Sequence, residues 1–309
     1  MNKIIILTGP TAVGKTALSV KLAKKIDGEI ISCDSMQVYK RMDIGSAKVS
    51  KEEMDGVKHH LIDILEPDEE FNVYVFKQYA KEALNEIYAN NHIPILVGGT
   101  GFYIQALLYD IDFKEEDNSV IRKELENEAS LNGSAYMYEK LIAVDPDYAK
   151  TLHPNNVKKI IRALEYISLN GQLFSEHNNV EKSKKSPYDF RYFVLNDERQ
   201  RLYNNIELRV DKMIDMGLVD EVRALYDNGY TKNMVSMQGL GYKELFDYYD
   251  GLCTLDEAIY NIKIRTRHFA KRQLTWFRGQ EDVIFVNKQD YLYDDEKILE
   301  YMLEVISNE

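Results

Sequence analysis

The sequence predicts an α/β protein: a parallel sheet core interrupted by a helical insertion. Two observations lead there. Up to about residue 112, short apolar runs alternate with segments of helical period, the pattern of a parallel sheet wound with helices. From there to about residue 189 the apolar spacing is helical only, before strand character resumes. The expected domains are therefore residues 1–112 with 190–309 as the α/β core with C-terminal helices, and 113–189 as the insertion.

The elements follow in order. Residues 3–7 (KIIIL) are apolar and β-branched, a buried first strand rather than the start of a signal peptide, because no small-residue cleavage site follows. ALSVKLAKKI (17–26) spaces Leu18, Leu22 and Ile26 as one helix face. GEIISCDS (28–35) reads as a second strand and HHLIDIL (59–65) as a short third. Residues 73–90 carry Val73, Phe76, Ala80, Leu84 and Ile87 at helical spacing, and IPILVGGTG (93–101) is a strand entering a glycine turn. In the insertion the helical stretches are 119–131, 134–143 and 155–169; NNVEKSKKSP (178–187) is polar and lysine-rich, a loop by composition. FRYFVLN (190–196) is a strand, long helices reach residue 277, and DVIFVN (282–287) closes the sheet.

Bulk composition sets limits. At 45% hydrophobic and 29% charged residues the chain is of globular rather than disordered type. No apolar run reaches the roughly 20 residues that cross a bilayer, so no membrane role and a cytoplasmic location are expected. The two cysteines, Cys33 and Cys253, have no metal-ligand spacing. A formal charge of −12 disfavours a nucleic-acid partner unless a local basic stripe exists.

GPTAVGKT (9–16) fits the phosphate-binding pattern G-x-x-x-x-G-K-[ST] and stands where it must, between a strand and a helix. Gly9 and Gly14 let the backbone curl so that the amides of Thr11, Ala12, Val13 and their neighbours face one anion. Lys15 adds a point charge, the helix its dipole, and Thr16 a hydroxyl for Mg²⁺. The core is therefore P-loop NTPase-like and binds a diphosphate or triphosphate. Two features argue against a kinase: few arginines that could form a lid, and no acid-terminated apolar strand suited to NTP hydrolysis other than IISCD, ending at Asp34.

Further motifs narrow the choice. CDSMQVYKRMDIGSAK (33–48), GGTGFYI (98–104), DPDYAKTLHPNNVKKIIRALE (145–165), RVDKMIDMGLVDEVRALYDNGY (209–230), GLGYKEL (239–245) and TRHFAKRQLTWFR (266–278) occur in this order across nearly the whole chain. Together with the phosphate loop they resemble the bacterial tRNA dimethylallyltransferases, or tRNA isopentenyltransferases, of the IPP transferase family. Two positions depart from the family's pattern: Lys159 stands where arginine is usual, replacing a planar fork by a point charge, and His268 replaces another polar residue.

The resemblance implies transfer of a dimethylallyl group from its diphosphate to N6 of the adenosine 3′ of the anticodon in tRNA. It implies Mg²⁺ as cofactor, Asp34 as the base that accepts the amine proton, and Ser35, Met36 and Gln37 as a frame for the target base. By the same resemblance Thr100 lies near the amine or the leaving oxygen, and Arg209, read as opening its helix, points at the diphosphate. Other roles stay open: Asp34 as a water-mediated Mg²⁺ holder, Thr100 as a helix cap, Met36 as a core contact.

The basic stripe lies at the C-terminal side. From Ala258 to Gln280 there are six Lys or Arg residues and no acid, with the lone Trp276 among them. Arg267, Lys271 and Arg272 are its candidate RNA contacts. The segment Lys158, Lys159, Ile160, Ile161 and Arg162 is a second candidate grip on the RNA backbone, and Arg122 a contact for the extruded base or its neighbours. A stacked adenosine cannot reach a deep phosphate site, so base extrusion into a channel is expected. The partners expected are thus the anticodon stem-loop of tRNA and dimethylallyl diphosphate, acting on a monomer. The competing functions are an adenylate isopentenyltransferase acting on free adenine nucleotides, a P-loop small-molecule kinase, and a non-catalytic RNA-binding NTPase switch.

Overall fold

The computed structural model describes residues 2–111 and 119–308. Strand β1 (Asn2–Thr8) leads through the phosphate loop into α1 (Lys15–Ile26), followed by β2 (Gly28–Ser32), a single turn α2 (Lys51–Met54), β3 (His59–His60), α3 (Val73–Ala89), β4 (Ile93–Gly98) and α4 (Gly101–Leu108). Four helices then form a separate run: α5 (Ser119–Val144), α6 (Pro146–Ala149), α7 (Val157–Asn170) and α8 (Phe174–Ser183). The chain resumes with β5 (Tyr188–Asn196), α9 (Arg199–Asp215), α10 (Leu218–Asp227), α11 (Tyr242–Tyr249), α12 (Leu255–Arg278), β6 (Val283–Asn287) and α13 (Asp295–Ser307).

The described strands form one six-stranded sheet in the order β3-β2-β4-β1-β5-β6, and every pairing is parallel. β1 is central, and its Ile4, Ile5, Ile6 and Leu7 are fully buried, which is why this strand reads as an unbroken apolar run. The chain leaves β1 toward β2 and leaves β4 toward β5, so the two neighbouring strands send their connections to opposite sides. A crevice opens at the carboxyl ends of such strands. Leu18, Leu22, Phe193, Leu202, Ile206, Ile298 and Met302 share the main core, joining α1, α9 and α13 to the sheet.

Two compact units emerge: residues 1–108 with 187–309, and residues 109–186. The expected boundary at residue 112 lies outside the described residues. The smaller unit has its own core of Leu125, Met137, Leu141, Ala149, Ile160, Ile161, Ala163 and Leu164. Buried Asp145 staples it internally, accepting from the Tyr148 amide at 3.1 Å and the Ser175 amide at 2.8 Å. Those amide donors hold its carboxyl below the usual range, against the opposing effect of burial.

Several local expectations change. Only His59–His60 of the expected strand 59–65 pairs within the sheet, because Leu61 and Asp63 take positive φ and break the extended run. The two helices expected at 119–131 and 134–143 are present within α5, separated at Gly133, whose φ of 81° and ψ of 174° break the helix. The lysine-rich segment expected as a loop at 178–187 is helical as far as Ser183, at the end of α8. Helix α9 begins at Arg199, not at Arg209, since Leu202, Ile206 and Val210 continue one buried stripe through it. Beyond the closing strand expected at 282–287, the chain adds one more helix, α13.

Candidate active site

The site assembles at the carboxyl ends of β1, β2 and β4. In-register pairs Leu7↔Val97, Thr8↔Gly98 and Ser32↔Val97 bring the loops after these strands to one level. The Thr8 hydroxyl donates to the Gly98 carbonyl at 2.7 Å and the Cys33 amide to the Val97 carbonyl at 2.7 Å. The Thr100 amide donates to the Cys33 carbonyl at 3.3 Å, which joins the turn after β4 to the residue preceding Asp34.

The phosphate loop has the geometry its sequence demands. Gly9 has a φ of 146°, and a Cβ there would lie 2.4 Å from the Leu195 carbonyl oxygen, so no other residue fits. Ala12 and Gly14 also take positive φ (63° and 98°), curling the chain around its amides. Val13 is buried and anchors the loop from below. No side chain caps α1 at Gly14, so the first amides of the helix are left for an anion. Lys15 folds back on the loop and donates to the carbonyls of Gly9 (3.0 Å) and Pro10 (2.9 Å). Burial and the neighbouring Arg209 guanidinium lower its pKa to about 7, against the opposing pull of Asp34.

Thr11, Ala12, Gly14, Lys15, Thr16, Asp34, Gln37 and Arg209 line one cleft of about 610 Å³, the volume of a small-ligand site. Gly9, Val13, Ser35, Met36 and Thr100 stand behind or beside it. The Asp34 carboxylate accepts from the Met36 amide at 2.8 Å, a turn that fixes its direction. Arg209 lies in the interior of α9, and its Nη1 meets Thr11 Oγ1 at 3.4 Å. Burial lowers the Arg209 pKa while Asp34 and Glu53 oppose that shift. Glu207 and Asp211, its acidic neighbours in sequence, instead bind Arg267 and Lys263 of α12. Gln37 is more committed than a free base-reading amide: its Nε2 donates to the Ala47 carbonyl at 3.0 Å, and its Oε1 accepts weakly from Ser32 at 3.4 Å.

Apolar and polar lining that sequence reasoning missed comes from four elements, α2, β4, α9 and α12. Val97, Leu208 and Phe269 supply apolar surface, and Leu208 is 68% exposed despite its apolar chemistry. Glu53, Asn205 and Gln273 add polar groups. Leu208 and Asn205 follow from Arg209 once α9 is extended to Arg199, so the missing signal is the true helix start. Thr16, Asp34 and Glu53 place hard oxygen donors in the cleft, a set that fits a magnesium ion sharing phosphate oxygens and water.

The candidate RNA contacts separate into paired and unpaired charges. Three α12 cations meet acids from neighbouring helices: Lys263 with Asp211, Arg265 with Glu244 at 3.0 Å, and Arg267 with Glu207 at 2.8 Å. The acid-free stripe is thus half-neutralised in space, a correction that the sequence of α12 alone could not show. Exposed Lys271 and Arg272 have no ion pair among the described residues. With His268, Thr275, Trp276 and Gly279 they line an outer groove of about 650 Å³. The Trp276 ring meets Phe102 edge-on at 6.1 Å.

In the insertion, Lys158, Lys159 and Arg162 are exposed on α7, whereas Ile160 and Ile161 are buried in the unit's core. The two isoleucines are therefore core residues rather than an RNA-facing surface, as the helical period of α7 requires. Arg122 is bound to buried Glu165 at 2.7 Å, so its guanidinium has a structural partner.

The chain is similar to known proteins along nearly its whole length. The sequence profile of the IPP transferase family matches residues 37–280. A tRNA dimethylallyltransferase of Lachnoclostridium phytofermentans is 56% identical over 99% of this chain and 98% of its own length. The crystal structure of the full-length tRNA isopentenylpyrophosphate transferase of Bacillus halodurans is 43% identical, with a TM-score of 0.73, covering 98% of this chain and 96% of that one. A eukaryotic dimethylallyltransferase described as acting on tRNA superposes with a TM-score of 0.78 at 30% identity, covering 93% of this chain and 74% of that one. On the profile match, the identity over nearly its full length and the shared parallel-sheet fold, the chain belongs to the IPP transferase family.

Proposed function

We propose that this chain transfers a dimethylallyl group from dimethylallyl diphosphate to N6 of the adenosine 3′ of the anticodon in tRNA, releasing diphosphate. The observation that carries this is one cleft holding an uncapped helix start, two half-buried cations and a carboxylate. The first two features stabilise a departing diphosphate and the third accepts a proton.

The N6 amine attacks the allylic carbon as the carbon–oxygen bond to the diphosphate breaks. As the new bond forms, the amine proton passes to Asp34, whose carboxylate is aimed by the Met36 amide. The loop amides, Lys15 and Arg209 take up the negative charge that develops on the leaving oxygens. Mg²⁺ would be held by the Thr16 hydroxyl with Asp34 or Glu53 through water, and would supply further charge neutralisation at the diphosphate. Thr100, whose amide is tied to the Cys33 carbonyl beside Asp34, is assigned to the neighbourhood of the attacking amine or the leaving oxygen. Leu208 and Phe269 give the isoprenoid tail an apolar wall.

The RNA-facing charges are Lys271 and Arg272 on the outer groove and Lys158, Lys159 and Arg162 on α7, the insertion serving as a second grip on tRNA. The protein acts as a monomer in the cytoplasm, where its tRNA substrate is; among the described residues no helix is long and apolar enough to cross a membrane. Labelled donor with an anticodon stem-loop, Mg²⁺ and no ATP tests the function. Label on the RNA but not on free AMP is expected. Label on AMP alone would make the chain an adenylate isopentenyltransferase, and phosphate transfer from ATP would make it a kinase.

A further inference from the structure

We infer that Gln273 is a positioning residue for the transfer reaction, holding the phosphate loop and the turn after β4 in one fixed relation. The inference rests on the function proposed above but stands on its own geometry.

Gln273 is only 6% exposed although it lies within the basic stripe of α12. It points inward to the cleft with Phe269, one helical turn earlier, while Lys271, Arg272 and Thr275 line the outer groove. Its Oε1 accepts from the Thr11 amide of the phosphate loop at 2.9 Å. Its Nε2 donates to the Gly99 carbonyl at 3.1 Å. One carboxamide therefore spans the loops after β1 and β4.

Each end of this bridge continues into the proposed chemistry. Thr11 also receives the Arg209 guanidinium on its hydroxyl. Gly99 precedes Thr100, whose amide is fixed to the Cys33 carbonyl beside Asp34. The bridge thus joins the residues that hold the leaving group to those that face the nucleophile. A Cβ on Gly99 would lie 2.1 Å from Gln273 Nε2, so a side chain there would push the carboxamide off its bond to the Gly99 carbonyl.

The chemistry at the position is specific. One end meets an N–H and needs an acceptor, and the other meets a carbonyl and needs a donor. A neutral carboxamide supplies both. A glutamate of the same length does so only when protonated, and a methionine supplies neither in comparable strength. A buried amide and carbonyl left without partners cost enough to let both loops shift, and sub-ångström errors at reacting groups are strongly felt in rate.

The test compares Gln273→Met and Gln273→Glu with the wild type. Readouts are donor KM and kcat with an anticodon stem-loop, calorimetric binding of inorganic diphosphate with Mg²⁺, and thermal unfolding. For Gln273→Met, kcat/KM for the donor falls about ten- to a hundredfold and diphosphate binds more weakly, with the KM for RNA unchanged. For Gln273→Glu, the ratio of its activity to wild type rises as pH falls and the new carboxyl protonates, a signature that mere loss of packing does not produce. Three results overturn the inference: wild-type kcat/KM in both variants, a Gln273→Met loss that follows only the folded fraction, or a Gln273→Glu ratio that is flat with pH. If the wild type transfers no prenyl group, the functional proposal falls, and the diphosphate titrations still decide the role of Gln273.

Discussion

Arg209 Nη1 lies 3.4 Å from Thr11 Oγ1, so a guanidinium from the interior of α9 reaches the phosphate loop at the start of α1. The two residues are 198 positions apart, and only the return of the chain through β5 brings them together. This pairing sets the guanidinium in the cleft within electrostatic reach of both Lys15 and Asp34. Arg209→Ala is expected to lower kcat by about a hundredfold or more, the scale for losing one donor to developing oxyanion charge. Arg209→Lys should recover only part of that activity, because a point charge does not reproduce the planar fork. Steady-state kinetics with varied donor measure both.

Lys15 gives a pH signature. Burial first, and then Arg209, hold its pKa at about 7 in the cleft. A diphosphate reverses both effects by adding negative charge, so binding at pH 8 should draw close to one proton from solution. Calorimetric titrations with diphosphate in buffers of different ionisation enthalpy count that proton. The sign for stability is opposite to the usual lysine case: the folded value lies below the ordinary value of 10.5, so this group's contribution grows as pH rises from about 7 toward 10.5. Arg209→Ala should raise the Lys15 pKa and shrink the proton uptake at pH 8.

The α7 segment separates packing from RNA binding. Ile160→Ala, in the insertion core, should destabilise by about 2–5 kcal/mol and show chiefly in thermal unfolding. Lys158→Ala and Arg162→Ala should leave stability nearly unchanged and weaken RNA binding. Each should also reduce the salt slope by about 0.7–0.9 for every phosphate that its charge neutralises. Lys271→Ala and Arg272→Ala should behave like the α7 charges. Arg267→Ala should weaken stability through removal of its pairing with Glu207 more than it weakens RNA binding.

Near the amino end of β2, buried Glu29 takes hydrogen bonds from His60 and His92, each at 2.6 Å. Burial would raise its pKa, but the two imidazoles and Lys58 together hold it below the ordinary value of 4.5. A depressed carboxylate contributes stability above its unfolded pKa and loses it as pH falls through the folded value. Glu29→Gln should therefore be less stable than wild type at neutral pH, with the gap closing below about pH 4.5. Urea unfolding across an acid-to-neutral pH series reads this directly.

Sequence and structure agree where a residue's role is local. The Gly9–Thr16 loop, the buried run of β1 and the Asp34 position are set by neighbours in the chain, and periodicity with glycine placement exposes them. What stays hidden is set across the chain. Glu207 and Asp211 neutralise α12 from another helix, and Arg122 finds Glu165 across the insertion. Gln273 is hidden for the same reason: its partners lie 262 and 174 residues away, and a polar residue inside a charged stripe looks like surface until the helix is placed against the cleft. Ile160 and Ile161 show the reverse error, in which a motif is read whole although helical geometry turns its apolar members inward.

The most direct measurement is single-turnover transfer of labelled dimethylallyl from its diphosphate to an anticodon stem-loop, by the wild type and Asp34→Asn, with RNA affinity measured in parallel. The expected result is product on the adenosine 3′ of the anticodon with the wild type, and a rate lower by about 10²–10⁴ in Asp34→Asn at unchanged RNA affinity. Equal rates in the two proteins would contradict the assignment of Asp34 as the proton acceptor, and no product on RNA with either would contradict the proposed function itself.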